Sequence, residues 1–226
     1  MENQKKMHYG FVVVAAIFIQ MLLAAGIVFG ASGMFIVPVT TDLGIGQGQF
    51  TLYMTFQSIA MALCVMAAPK LMAKFKYRTL NIISSITVSV GMMLMGFANG
   101  VLLIYVGGVL LGISLVFLTL LSPGVLIPRW FSQKQGTMLG ITATAVAVGG
   151  MIFNPVIAAF LNGAPLFGFA SSWRSAYVTL GLIVLAGCLP CALFLIKDFP
   201  KDKGLQPYTL ASGGPYCDCG YKKRKG

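Results

Sequence analysis

Long apolar runs separated by short polar segments organise most of this chain. The clearest run extends from Thr79 to Pro128 and contains no Asp, Glu, Lys or Arg. A helix crosses a bilayer with about 20 apolar residues, so this run is long enough for two crossings, with a turn at Asn99-Gly100. Backbone groups in hydrocarbon must bond to one another, and runs of this length favour helices over the short strands of a β-barrel. The pattern predicts an all-α membrane protein with six spans: 11–36, 50–68, 80–98, 101–126, 138–161 and 176–196.

Composition supports this assignment and changes how the charge is interpreted. The chain is 58% hydrophobic and only 9% charged, with a mean hydropathy of +0.87. These values exclude an ordinary soluble domain. A formal net charge of +11 would suggest nucleic acid in a soluble protein. Here the basic residues lie beside apolar runs, so the expected partner is the lipid bilayer and not nucleic acid.

The basic residues of the connections between spans fall on one side of the predicted bundle. They lie between the second and third spans and between the fourth and fifth. The opposite connections contain little charge, chiefly Asp42 and Arg174. The positive-inside rule therefore predicts a multi-pass membrane protein with both termini in the cytoplasm. The basic residues of these connections are Lys70, Lys74, Lys76, Arg78, Arg129 and Lys134.

The spans lack the side chains that most membrane enzymes require. His8 is the only histidine and precedes the first span, and all five acidic residues lie outside the spans. A membrane hydrolase needs a buried base or clustered metal ligands, and a redox enzyme needs axial ligands. The sequence therefore predicts a protein that is not an enzyme and that has no metal or other cofactor. Proton coupling through an ionisable side chain within the membrane has no candidate either.

Primary amides are the most informative polar groups within the spans. Gln20, Gln57 and Asn154 would leave donors unsatisfied if they faced lipid, so each is expected to bond within the bundle or to line a substrate path. Tyr53 lies one turn from Gln57 and should share its face. Asn81 lies at a span end, where we expect it to reach water. Most Ser and Thr hydroxyls are expected to bond their own helix.

Glycines at a spacing of four allow helix backbones to approach closely. The fifth span combines several of them with Asn154-Pro155, where proline interrupts the hydrogen-bond ladder. A helix of this kind is expected to slide or rock against its neighbours. The glycines and proline assigned to packing and gating are Gly108, Gly112, Gly136, Gly140, Gly149, Gly150 and Pro155.

The segment Arg129-Trp130-Phe131, the basic and glycine-containing start of the fifth span and the segment Ser172-Trp173-Arg174 form a recognisable pattern. Over about residues 8 to 208 the chain resembles the oxalate/formate antiporter and monocarboxylate-transporter-like branch of the major facilitator superfamily. In that branch an R-W-F element ends helix four and a G-W-R element opens helix six. Gly204–Tyr208 matches a further G-L-x-P-Y element. For Trp130, Trp173 and the two arginines, anchoring at the membrane interface is the simplest physical interpretation.

The resemblance implies the N-terminal six-helix half of a transporter for a small organic anion, a mono- or dicarboxylate, acting as an antiporter in the bacterial inner membrane. In the family's layout helices one and four line the cavity, two and five flank it, and three and six face lipid. That layout adds Ser32 and Thr119 to Gln20, Tyr53, Gln57 and Asn154 as substrate-pathway candidates. Basic residues of the C-terminal half would supply the cation for the substrate.

Two features depart from the family pattern. Ala73 stands where the G-x-L-x-D-R-x-G-R-R loop has its acid, and Lys76 stands where it has glycine, so an ion pair through that acid cannot form. The chain also contains only one six-helix half, residues 1–208, followed by a hydrophilic tail, 209–226, that we expect to be cytoplasmic and disordered. These features favour a truncated transporter that is inactive without its missing half. A natural half-transporter acting with a second copy and a membrane scaffold or regulatory subunit stay open as alternatives.

Overall fold

The computed structural model describes residues 9–131, 135–161 and 172–195, and nearly all of them are helical. Six helical stretches are long and apolar enough to cross a membrane, as the sequence predicted. We call them the first to sixth spans. They comprise Gly10–Gly30, Gln47–Lys74, Tyr77–Gly96, Val101–Trp130, Gln135–Leu161 and Trp173–Leu193. The family elements at Lys134 and Gly204–Tyr208 and the tail from 209 lie outside the described residues.

The described residues contain eight α-helices. In chain order they are α1 (Tyr9–Ala31), α2 (Ile36–Leu43), α3 (Gln47–Lys74), α4 (Tyr77–Gly96), α5 (Val101–Leu115), α6 (Leu121–Trp130), α7 (Gln135–Leu161) and α8 (Trp173–Pro190). Five-residue π-helical segments follow α5 and α8, at Val116–Leu120 and Cys191–Leu195. The fourth span is thus α5, a π-helical segment and α6 in series.

The first connection differs from the prediction. The first span was expected to continue to Ile36, but α1 ends at Ala31, and a turn then leads into the short helix α2. Gly44 ends α2 with a left-handed φ of 64°, a conformation that glycine adopts without steric cost. Because apolar residues lie on both sides of the turn, the hydropathy pattern does not show where α1 ends. Ser32 consequently lies in the turn and not within a membrane helix.

Each span packs mainly against one partner. The first packs against the fifth, the second against the fourth, and the third against the sixth, while the third and fourth are also in close contact. The second and fifth spans are the least covered. Only 17% and 28% of their most apolar windows are buried, against at least 50% in the other four. These two spans therefore form the open flanks of the bundle.

Glycine contacts hold the first and fifth spans together. A Cβ added to Gly26 would lie 2.6 Å from the Cα of Gly149, and one added to Gly30 would lie 2.9 Å from the Cα of Gly150. Real Cβ atoms do not approach backbone atoms so closely, so these helices touch backbone to backbone. We call these four residues the glycine seam.

The remaining glycines divide into two groups. Gly108 and Gly112 on the fourth span contact the backbone of Tyr53 and Gln57 on the second, which agrees with a packing role. Gly136 and Gly140 were expected to pack similarly, and for the described residues this prediction is wrong because nothing lies within 4 Å of an added Cβ at either position. Spacing identifies a smooth stripe on a helix, but it does not specify whether another helix lies against it.

Prolines interrupt the spans less than the sequence suggested. Helix α7 continues through Pro155 to Leu161, and only the backbone bond that the missing N–H would make is lost. The fourth span responds more strongly. Ahead of Pro123 the N–H of Leu121 donates to the carbonyl of Val116, five residues back, where an α-helix would use that of Phe117. This widened turn gives the proline ring room near the Thr119 carbonyl.

Candidate functional site

A buried polar network joins four spans in the half of the bundle that carries the lysine-rich connection between the second and third spans. The Gln20 amide Nε2 donates to Asn81 Oδ1 at 2.8 Å, and Asn81 Nδ2 lies 3.3 Å from Gln20 Oε1. Asn81 Nδ2 also donates to the Tyr77 hydroxyl at 3.1 Å, and that hydroxyl donates to the Phe117 carbonyl at 2.6 Å. Phe117 is the residue whose carbonyl the π-helical segment diverts from its α-helical partner. The network therefore satisfies a group that the widened turn leaves available.

The sixth span contributes a second backbone acceptor to this network. Gln20 Nε2 also donates to the carbonyl of Cys188 at 3.3 Å, two residues before Pro190. Proline residues and π-helical turns in a membrane helix leave carbonyls that neighbouring side chains can satisfy. Gln20 thus connects the first span to the third and the sixth.

These contacts decide between the two alternatives for Gln20. Its side chain is fully buried and bonded within the bundle, so the structure favours the bundle hydrogen bond over a position on an open path. The expectation that Asn81 reaches water is wrong, because Asn81 is also 0% exposed. Its place near a span end did not reveal that Tyr77 and Gln20 enclose it.

Tyr53 and Gln57 share one face of the second span, as their spacing predicted. Both are buried, and this face packs on Gly108 and Gly112 of the fourth span. Tyr53 also lines a small internal cavity together with Ser32 and Tyr177. Two of the pathway candidates therefore meet at one cavity, although the Ser32 hydroxyl bonds to the carbonyl of Phe29 at 2.9 Å.

Thr119 and Asn154 lie in contrasting environments. The Thr119 hydroxyl donates to the carbonyl of Leu115 at 2.7 Å, as expected for a helical threonine. The Asn154 Oδ1 is buried and has no hydrogen-bond partner in the part of the chain that the structure describes. It lies beside the glycine seam, 3.2 Å from where a Cβ on Gly30 would stand. Of the amides among the pathway candidates, Asn154 is thus the one with a buried oxygen that has no partner in the described residues.

A polar cluster at the opposite end joins all three connections on that side. Asp42 Oδ2 accepts from the Trp173 indole N–H at 3.0 Å and from Arg174 Nη2 at 3.4 Å, and Arg174 Nη1 donates to Asn99 Oδ1 at 3.0 Å. The guanidinium carbon of Arg174 lies 5.0 Å from the centre of the Trp173 ring. From sequence alone, Asp42 and Arg174 were expected on the same side of the bundle but not as a pair. Few other charges lie in the connections on that side, and this could have indicated that the two residues bind each other.

Both tryptophan rings are buried within this bundle. Trp130 is 0% exposed and packs in a core cluster with residues such as Ile17, Tyr77 and Ala145, while Trp173 is 6% exposed and bonds to Asp42. Both rings are therefore covered by the bundle, and their place at the membrane interface stays a prediction. An indole at a span end is also suited to an internal position when neighbouring helices cover its ring and a carboxylate accepts its N–H, as Asp42 does here.

At the end of the bundle that the charge pattern predicts to be cytoplasmic, one arginine side chain bonds to the bundle, whereas the lysine side chains are exposed. Arg78 Nη2 donates to the carbonyl of Leu193, which ties the connection between the second and third spans to the end of the sixth. Arg129 is half-buried. Lys70, Lys74 and Lys76 are exposed.

The exposed apolar side chains of the second and fifth spans form an uncovered surface. On the second span Leu63 and Met66 are 63% and 77% exposed, and on the fifth Met151 is 80% exposed. Asn154 lies one turn beyond Met151 on the same helix. Asn154 therefore lies one turn from this uncovered surface, while its amide oxygen is buried beside the glycine seam.

Comparison with known proteins identifies the architecture. The family model described as Major Facilitator Superfamily matches residues 14–213. The chain is 26% identical over 128 residues to an uncharacterised MFS-type transporter, YcxA, of Bacillus subtilis, and 33% identical over 92 residues to the MFS-type transporter opdF of Penicillium oxalicum. These matches cover 56% and 40% of this chain but only 30% and 20% of the two relatives.

A solved structure shows the same fold. It is a bacterial homolog of the human lysosomal transporter Spinster, in an inward-facing and unoccupied conformation, with a TM-score of 0.58 and 14% sequence identity. The similarity covers 97% of this chain and 48% of the Spinster homolog, so the chain spans about half the length of that transporter. The six spans thus correspond to one six-helix half of the fold, consistent with its N-terminal half.

Proposed function

Because this chain belongs to the Major Facilitator Superfamily, whose members are transporters, we propose that it is the N-terminal half of a secondary transporter for a small organic anion. The observation that carries the proposal is the structural similarity, which covers nearly all of this chain and about half of a complete transporter. Paired six-helix halves of this kind enclose a substrate site at the bilayer midplane. The proposed cargo is a mono- or dicarboxylate, and the proposed mode is antiport across the bacterial inner membrane.

The distribution of charge supports a requirement for a second half. The cations of the described residues lie in the connections or at span ends, where Arg78 and Arg174 bond to Leu193 and Asp42. A carboxylate held near the midplane would thus have no cationic partner from this part of the chain. Burying an anion without such a partner is strongly unfavourable. We propose that basic residues of the C-terminal half supply the partner.

The geometry also refines which residues would contact the cargo. Gln20 is bonded within the bundle, so we propose a structural role for it. Asn154 has an unpaired amide oxygen beside the open flank, and it becomes the foremost candidate for contact with the cargo or with the second half. Ser32, Tyr53, Gln57 and Thr119 stay as secondary candidates, with Ser32 and Tyr53 at the internal cavity.

The proposed orientation makes a direct labelling prediction. Gln47 begins the second span and Lys76 follows its other end, so single cysteines at these two positions report on opposite ends of that span. In intact cells of a variant lacking the native cysteines, we expect a membrane-impermeant maleimide to label position 47 and to label position 76 only after permeabilisation, because the lysine-rich connection should stay inside. If position 76 but not position 47 is labelled in intact cells, the orientation is opposite to the one proposed.

Co-expression of this chain with a second half tests the proposed transport function. Cells that express this chain together with the C-terminal half of a related MFS carboxylate transporter should take up radiolabelled oxalate, formate, lactate or pyruvate, and cells with either half alone should not. A chain with Asn154→Leu is the informative variant, since it should assemble but transport less. Equal accumulation of both halves without uptake of any of these anions would refute the proposed substrate class.

A further inference from the structure

Three lysines surround the turn that joins the second and third spans. Lys70 and Lys74 lie one helical turn apart at the end of α3, and Lys76 follows in the two-residue turn before α4. All three side chains are exposed. None of them makes a hydrogen bond or ion pair with another described residue. Like charges at this spacing repel one another, so an external anion would stabilise the turn.

The described residues provide no anion at this end of the bundle. Asp42 is their sole carboxylate, and it lies at the opposite end, bonded to Trp173 and Arg174. Arg78, the other nearby cation, lies in the first turn of α4, and its Nη2 donates to the carbonyl of Leu193. The turn therefore presents positive charge without compensation from the described part of the chain.

Helix geometry places these lysines at the level of lipid headgroups. The apolar run 50–68 of the second span rises about 28 Å, which matches the roughly 30 Å hydrocarbon core. Lys70 and Lys74 lie two and six residues past Ala68, or about 3 and 9 Å further along the helix. The headgroup region adds about 5 to 7 Å on each side. Long lysine side chains can adjust by a few ångströms to reach phosphates in that layer.

Phe75 adds an aromatic ring to this group of three lysines. Phe75 lies between Lys74 and Lys76 in the turn and is 52% exposed. Apolar side chains such as Phe insert at the boundary between headgroups and acyl chains beside basic residues, so Phe75 can contact the upper acyl region while the ammonium groups contact phosphate. We propose that Lys70, Lys74, Phe75 and Lys76 form a binding surface for an anionic phospholipid headgroup. We call it the headgroup surface.

The positive charge of the three lysines determines which lipid headgroup the surface should bind. A phosphatidylglycerol headgroup carries a net negative charge, whereas phosphatidylcholine is neutral overall, so the surface prefers the former. Each basic residue near an anionic membrane surface contributes about fivefold to binding. Three independent contributions of that size multiply to about a hundredfold, so loss of all three lysines should weaken retention of phosphatidylglycerol by at least about tenfold. The inference does not depend on transport or on the identity of the cargo.

Native mass spectrometry of the purified full chain tests the proposal. The protein is delipidated, mixed with equal phosphatidylglycerol and phosphatidylcholine, and the retained lipids are counted. We expect preferential retention of phosphatidylglycerol by the unaltered chain and by the Lys70→Arg/Lys74→Arg/Lys76→Arg variant, and its loss in the corresponding triple Lys→Gln variant. Raising the salt to 1 M before transfer, where the screening length is about 3 Å, should reduce retention.

A charge-matched control separates this surface from general attraction. The variant Lys222→Gln/Lys223→Gln/Lys225→Gln removes the same number of charges from the C-terminal tail and should retain phosphatidylglycerol normally. Equal losses in the two triple Lys→Gln variants would overturn the proposal, because charge alone would then explain binding. Displacement of the lipid by millimolar glycerol phosphate would also overturn it, since the site would then recognise a free phosphate and not a membrane lipid.

Discussion

Gly149→Val is expected to destabilise the bundle by at least about 2 to 3 kcal/mol, at the upper part of the range for overpacked sites. An added Cβ would collide with the carbonyl oxygen of Leu22 and lie 2.8 Å from the Cα of Gly26. Both neighbours are backbone atoms, so relief requires the first and fifth spans to move apart. Thermal unfolding of the detergent-purified chain measures the loss, together with the fraction that elutes as a monodisperse peak.

Gly140→Val provides the matched control in the same helix. It introduces the same side chain at a position where nothing lies within 4 Å, so its cost should stay near that of a surface substitution, about 0.5 kcal/mol. The β-branched side chain has a similar effect on helix propensity at both sites. Comparable losses in the two variants would show that the glycine seam is not what holds these spans together.

The second large effect is expected in the buried network. Gln20→Met and Asn81→Leu each remove one amide and leave the other amide buried without its partner. Such a loss typically costs about 1 to 3 kcal/mol, although intramembrane hydrogen bonds average only about 0.6 kcal/mol. We expect the two single variants to lower the melting temperature by similar amounts, because Asn81→Leu also removes the bond to Tyr77 and Gln20→Met also removes the bond to the Cys188 carbonyl.

The double variant distinguishes a coupled pair from two independent sites. Gln20→Met/Asn81→Leu should lose less stability than the sum of the single variants, because no unpaired amide is left when both are replaced. Gln47→Met, an exposed position at the start of α3, serves as a control and should leave the melting temperature unchanged. Strictly additive losses would mean that the amide pair contributes little of its own.

The number and type of the helices could be predicted because a membrane imposes a length on apolar runs. The run from Thr79 to Pro128 indicated two helices and a turn, and α4 and α5 lie there. Exact ends were less predictable. The second span extends to Lys74, since a helix continues into the headgroup region after its apolar run ends. The first span ends before Ile36, because an apolar turn resembles a helix in composition.

The direction of side chains was the less predictable part of the site. Gln20 and Asn154 looked equivalent in sequence, yet one is bonded to Asn81 and the other has a buried, unpaired oxygen. Which face of a span meets a neighbour depends on packing between distant segments, and periodicity is weak when a helix is apolar all round. For the same reason Gly149 and Gly140 carried the same signal, although only Gly149 lies against another helix.

Local backbone irregularity was a further limit. The sequence shows Pro123, but it does not show that the strain is relieved by a π-helical segment at Val116–Leu120. That segment places the Phe117 carbonyl where Tyr77 can bind it, which in turn positions Asn81 for Gln20. The network therefore depends on a backbone feature that residue patterns alone do not encode.

Uptake by proteoliposomes tests the central claim most directly. Vesicles containing the purified chain alone, and vesicles containing it together with the C-terminal half of a related transporter, would be loaded with one carboxylate and offered radiolabelled oxalate, formate, lactate or pyruvate outside. The half-transporter account predicts saturable exchange only in the vesicles that contain both halves. Saturable exchange of any of these anions by the chain alone would contradict it and would favour a transporter formed by two copies of this chain.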